Sequence, residues 1–410
     1  MLSIVRSKIN FEKTYYYSLL LFAFMLPLSK ATNSIFLSLF LLLLILQGDF
    51  KNRFNILRDS ALAKSILLFI GFITLSLLWS DNLDNVFSFR KLYWYWFVIF
   101  AIALSIKTDK IFTVISAFIL GMMVSEIISY GMFFELWKVK GHGSNYPSPF
   151  MFHITYSLFL GFTAIILLNR IISKRYSIKV KLLLLLFFIT ILGNLFINDG
   201  RTGQLAFLVG IFAAVFIHYR VSIKSLVSAV ILTIFIFSSA YLLSNKFQSR
   251  VHSAKQDIEK IFKGNLNSSW GIRVAMYYVA TDIIKENPLL GVGVGDYNSA
   301  AKDALDRDNH GFDKSVIEFI PKEHFHSQYL NILVQGGFVG LFLMLLIFYN
   351  LYRLKISNPE LKELSLLFVT IFLVAFIAEP LLLKQFANTL FILFSGLFLG
   401  ASLDKKNIDT

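Results

Sequence analysis

The sequence has no cysteine, which excludes disulfides, zinc–thiolate sites and a cysteine nucleophile. No period of 20–50 residues recurs, so no solenoid is expected. The glycine run Gly291-Val292-Gly293-Val294-Gly295 follows no strand pattern and leads into no G-x-x-G-K. It therefore reads as a turn between two surface helices, not as a phosphate loop. The acidic positions Asp303, Asp306, Asp308 and Asp313 lack the spacing of an EF-hand loop, and 299–320 reads as a solvated or mobile loop. No pair of carboxylates stands as a glycosidase would need it. Charge itself is scarce: 16% of the 410 residues are charged and 56% are hydrophobic. A water-soluble core could not cover that much apolar surface, so the natural solvent is a bilayer.

The apolar residues fall into stretches near the roughly 20 residues a helix needs to cross a membrane. Twelve are expected, at 14–30, 33–47, 62–79, 91–106, 110–134, 152–169, 181–197, 203–218, 225–244, 327–351, 362–378 and 388–402. The fold class is thus an all-α integral membrane protein of about 12 transmembrane helices. Its parts are helices 1–9 in 1–244, a large loop domain with amphipathic helices in 245–326, and helices 10–12 with a short tail in 327–410. The N-terminal basic start and apolar run could mimic a secretory signal, but Ser29-Lys30-Ala31 is a poor cleavage site, so it is kept as the first helix.

The net charge of +14 could suggest nucleic acid, yet its distribution gives a topology instead. With the N-terminus cytoplasmic, the inner segments hold 21 Lys and Arg and the short outer loops 7, as expected where basic groups translocate poorly. Segment 245–326, with 11 basic and 11 acidic residues, then lies outside with both termini inside. Within it, 270–286 has Ile272, Met276, Val279, Ala280 and Ile283 at helical spacing. Asn287-Pro288 ends that helix. Gly336/Gly340 and Gly396/Gly400 suit close helix packing.

Few residues in this chain can carry chemistry. Arg201 stands in a very short turn between two apolar runs, where it either snorkels or is fixed at the mouth of the bundle, offering a planar fork suited to phosphate oxygens. Arg273, one turn into the amphipathic helix, reads on composition alone as a solvated arginine. His326 stands where the polar segment becomes a membrane helix; histidine can take up a proton near neutrality. His324 is an equally placed rival. Glu379 and Lys384 flank Pro380, and Arg90 and Lys91 open the fourth span; ionisable groups at membrane depth mark pathways or anchor helix ends.

Three blocks carry a resemblance. Asn198-Asp199-Gly200-Arg201-Thr202-Gly203-Gln204-Leu205-Ala206-Phe207 is one. Arg273-Val274-Ala275-Met276-Tyr277-Tyr278 with Asn287-Pro288-Leu289-Leu290-Gly291 is the second. His326-Ser327-Gln328-Tyr329-Leu330, leading to Gly336, Gly340 and Leu341, is the third. Together they resemble the O-antigen ligase and polymerase superfamily over residues 198–341, although the family's familiar serine before the arginine is replaced here by Asn198-x-Gly200, or by Asp199-Gly200 on a tighter alignment. The resemblance implies a metal-independent, cofactor-free, inverting glycosyltransferase of the bacterial inner membrane. Carried onto this chain, His326 would be the general base, selected over His324. Arg201 and Arg273 would hold the pyrophosphate, with Lys91 or Arg90 adding positive charge to substrate binding. The partners implied are an undecaprenyl-pyrophosphate-linked glycan, a lipid A–core acceptor and membrane lipid, with no nucleic acid. The active site would face the periplasm.

Ligase is the first expectation, from the span plan and the closely spaced blocks. A polymerase extending undecaprenyl-linked repeat units would need the same arginines. A transporter or flippase is the more distant alternative, because transporters show related halves and mid-span charges, and the mid-span regions here read as almost wholly apolar.

Overall fold

The computed structural model describes residues 9–81, 92–139, 143–144, 146–198, 200–219 and 221–403. All regular structure among them is helical, with no strand. In chain order the helices are α1 Phe11–Met25, α2 Lys30–Gln47, α3 Phe50–Leu57, α4 Ala61–Leu75, α5 Phe97–Ala103, α6 Thr108–Phe133, α7 His153–Ile172, α8 Ile178–Ile197, α9 Arg201–Tyr219 and α10 Ile223–Leu243. The polar segment contributes α11 Asn245–Phe262, α12 Ser269–Glu286, α13 Tyr297–Arg307 and α14 Lys314–Phe319. Then follow α15 Gln328–Tyr352, α16 Pro359–Ala375 and α17 Gln385–Leu403.

Among the described residues, nine helices are long and apolar enough to cross a bilayer. The count of twelve is not confirmed, because three expected spans form shorter helices: α1 has 15 residues, α16 has 17, and Leu92–Ala103 is shorter still. The bundle is organised around α17, whose apolar window is 89% buried, against 17% for α10 at the periphery. Without water to drive them together, such helices associate by packing and by polar contacts. Trp96 shows both: its ring lies 5.0 Å from Phe391 and its Nε1 donates to Asn388 Oδ1 at 2.7 Å.

The mid-span regions are less bare than composition suggests. Glu126 lies buried in α6 and Arg170 at the end of α7. Arg170 is fully engaged, donating to Ser116 Oγ at 3.0 Å and to Phe112 O at 3.1 Å.

The acidic stretch 299–320, expected as a loop, is a correction: α13 and α14 occupy most of it. They bury Tyr297, Ala301, Ala304, Leu305 and Val316 with Ala275, Met276 and Ile283 of α12 in a small apolar core. The short-range sequence is polar, but its few apolar residues recur on one helical face and find a partner.

The glycine run forms a turn and docks against α15. Val292 N donates to Val334 O at 2.9 Å and Gly293 N to Gln335 O at 3.0 Å. This needs a break in α15 at Gly337 (φ 59°), which frees carbonyls on one side and amides on the other. Phe338 N and Val339 N then donate to Pro288 O and Leu289 O. A Cβ on Gly337 would come 2.3 Å from the Leu289 carbonyl. Ser80, just past α4, adds a second tie by donating to Asp296 Oδ2 at 2.7 Å. The polar helical segment is thereby fixed on one end of the bundle, the domain end.

Candidate functional site

The N-terminus of α15 and the chain leaving α16 are stitched together. Gln328 N donates to Phe376 O at 2.8 Å, and Leu382 N donates to Gln328 Oε1 at 2.9 Å. Ser327 caps α15 in an extended conformation, which leaves His324 and His326 on the approach to the helix. The turn after α16 delivers Glu379 to the same place. His326 Nδ1 lies 3.1 Å from Glu379 Oε2, and the Glu379 side chain is only 2% exposed.

The geometry fixes proton positions. Burial alone would push the Glu379 carboxyl up, but the hydrogen bond from His326 and the charge of the Lys384 ammonium outweigh it, holding it below its ordinary value. An ionised Glu379 accepts from His326 Nδ1–H, so Nε2 keeps its lone pair and becomes the basic nitrogen. His324 is pulled down to about 4, first by burial and then by Lys384. It is neutral at pH 7 and accepts from Lys384 Nζ at Nε2, 2.6 Å away. The Nε2 of His324 is thus occupied and its Nδ1 is buried.

His324, His326 and Glu379 each offer an atom within 4.8 Å of the others, a set that could hold a metal ion. Here Lys384 Nζ already stands 2.6 Å from His324 Nε2 and 3.5 Å from Glu379 Oε1. An ammonium therefore supplies the positive charge that the carboxylate requires, and an ion would have to displace it.

Arg201 begins α9, after a turn too short to let it wander. Gly203 permits that turn to press on α7: its N donates to Ser157 Oγ at 3.1 Å, and a Cβ there would lie 2.0 Å from Ser157 O. The Arg201 guanidinium is 5.9 Å from the Trp270 ring, and its buried Nη1 has no hydrogen-bond partner. Arg273, on α12, is lowered from its usual value chiefly by burial; Glu379 opposes that shift and Arg201 adds to it. Two guanidinium groups that feel each other's charge, together with one buried carboxylate, form a cation-rich cluster suited to an anion.

The structure thus brings together Arg201, Arg273 and His326. Arg90 and Lys91 lie outside the described residues. Glu379 and Lys384 were visible in the sequence as ionisable groups that mark a pathway or anchor a helix end, and not as partners of the histidines, which lie more than fifty residues away. His153, which feels the charges of Glu379 and Arg250 and stacks on Tyr146 at 4.8 Å, gave no signal beyond being a histidine at a span's edge.

Residues 185–345 match the family model described as O-antigen ligase. This stretch is less than half of the chain. It contains Arg201, Arg273 and His326, while Glu379 and Lys384 fall beyond it. Two curated relatives align with the chain. An uncharacterized protein of Haemophilus influenzae is 28% identical over 214 residues, covering 50% of this chain and 52% of that one. An O-antigen ligase of Escherichia coli K12 is 25% identical over 180 residues, covering 43% of this chain and 41% of that one. The match spans about half or less of the relatives' own length. The match to this domain, together with the bundle of apolar helices, supports a multi-pass membrane protein.

Proposed function

We propose that this protein is an O-antigen ligase. It would transfer a polysaccharide from undecaprenyl pyrophosphate to a sugar hydroxyl of lipid A–core, on the periplasmic face of the inner membrane. The observation that carries the assignment is the His326–Glu379 hydrogen bond near two arginines, of which Arg201 has a buried Nη1 without a hydrogen-bond partner. In this mechanism the acceptor hydroxyl gives its proton to His326 Nε2 as its oxygen attacks the anomeric carbon. The bond from that carbon to the phosphate oxygen breaks with inversion, and the pyrophosphate leaves with the electron pair. Arg201 and Arg273 neutralise the charge that grows on the leaving group. Glu379 holds the imidazole in the tautomer whose Nε2 faces substrate and stabilises the imidazolium formed, a role comparable to that of the carboxylate in a catalytic triad. Lys384 keeps Glu379 ionised. A positioned base contributes about 10²–10⁴ in rate, and no covalent intermediate is needed.

The test is transfer in proteoliposomes from a lipid-linked polysaccharide to lipid A–core. His326→Ala and Arg201→Ala abolish it while the protein inserts and accumulates normally; wild-type transfer by either variant overturns the assignment. A deletion strain separates the neighbouring activity. Long polymer left on the lipid carrier with bare lipid A–core marks a ligase, whereas a single repeat on lipid A–core marks a polymerase.

A further inference from the structure

The end of the bundle away from the His–Glu pair carries a second cationic site that transfer does not use. Gly48 (φ 67°) and Asp49 (φ 54°) make a left-handed turn after α2 that swings α3 sideways. Phe50 and Phe54 on α3 are 57% and 62% exposed, alternating with Lys51 and Arg53. A short helix with this pattern lies in a bilayer interface with its apolar face in the acyl layer.

A cavity of about 390 Å³ opens between α3, α4 and α5, walled by Phe54, Leu57, Leu67, Phe97, Phe100 and Leu104. Arg53, Arg58 and Lys64 border it. Arg53 is only 9% exposed, its buried Nη1 has no hydrogen-bond partner, and no carboxylate among the described residues forms an ion pair with it. Its polar neighbour is the Tyr15 hydroxyl. Arg58 meets Asp59 at 3.9 Å, with both side chains about 60% exposed, and so remains available to another anion.

A buried guanidinium without a counter-charge is costly, and the walls beside it suit hydrocarbon. One class of molecule answers both demands. We propose that this niche binds an anionic glycerophospholipid of the leaflet opposite the His–Glu pair. The lipid phosphate rests on Arg53, with Arg58 and Lys64 on its flanks, and one acyl chain lies along Phe97, Phe100 and Leu104. A soluble phosphate would satisfy the cations and leave the apolar walls unused; a neutral lipid would do the reverse. The lipid anchors α3 and, through it, the packing of α2 against α5.

The test is the unfolding midpoint of the full chain in phosphatidylcholine nanodiscs, with and without phosphatidylglycerol, and separately with inorganic phosphate. Phosphatidylglycerol raises the wild-type midpoint by about 5 °C; inorganic phosphate does not. Arg53→Gln removes the shift. Should that variant not fold, Arg58→Gln combined with Lys64→Gln, both at exposed positions, decides the matter by at least halving it. An equal midpoint in the two lipids, an undiminished shift in the double variant, or a full shift with phosphate alone overturns the proposal. None of these outcomes bears on transfer, which is read at the other end of the molecule.

Discussion

Arg170 and Arg201 are both withdrawn from bulk water on neighbouring helices, yet their surroundings differ. Arg170 spends its donors on Ser116 Oγ and Phe112 O and lies 5.7 Å from the Tyr176 ring. Arg201 leaves Nη1 without a partner and faces a second guanidinium on Arg273. The first arrangement is complete without a ligand. The second sets two positive charges close together, with Glu379 partly offsetting them, an arrangement suited to an anion. A buried arginine thus marks a binding site by what it lacks, a distinction that burial alone does not make.

That contrast can be broken most decisively at the site itself. His326→Ala lowers the transfer rate by about 10²–10⁴ at saturating substrate, measured in proteoliposomes, and leaves the unfolding midpoint near wild type. Glu379→Gln comes next. It keeps the shape of the side chain and removes the charge that fixes the His326 tautomer, so kcat falls by up to about 10⁴ with KM for the lipid-linked donor little changed. A fall in KM-dependent binding alone would contradict the orienting role.

Arg170→Ala tests the other side of the comparison. It strips partners from Ser116 and Phe112 and lowers stability by about 1–3 kcal/mol, read by thermal unfolding, while the folded fraction transfers at the wild-type rate. Loss of turnover per folded molecule would erase the difference between the two arginines.

The smaller effects concern pH. Lys384→Met removes positive charge facing Glu379, so the carboxyl titrates at higher pH and the acid limb of transfer moves upward; Lys384→Arg restores it. An unmoved limb in the Met variant would dissociate Lys384 from the pair. His324 has a folded pKa of about 4, below its ordinary 6.5. A histidine lowered on folding is protonated more readily when unfolded, so stability is fully present above pH 6.5 and is lost as pH falls from 6.5 toward 4. His324→Gln flattens that slope in pH-dependent unfolding.

Part of the candidate site carried local signals in the sequence. Arg201 stands in a turn of almost no length and His326 at a polar–apolar boundary, whereas Arg273 read on composition alone as a solvated arginine and His324 as an equal rival, so both choices came from the resemblance. Glu379 and Lys384 were legible as ionisable groups but not as partners, because their meaning depends on contacts across more than fifty residues. The helices α13 and α14 were hidden for a related reason: their apolar residues are too few to announce a core without α12 beneath them.

Composition and hydrophobic periodicity by themselves determined that this chain is helical and lives in a bilayer, since burial of so many apolar residues depends on the solvent and hardly on the detail of packing. They also set where the polar segment interrupts the helices. Only the tertiary structure decided which charges meet. The 3.1 Å contact of His326 with Glu379 depends on stitching α15 to the chain after α16, and hydrogen bonds act over ångströms between residues that sequence distance leaves unrelated.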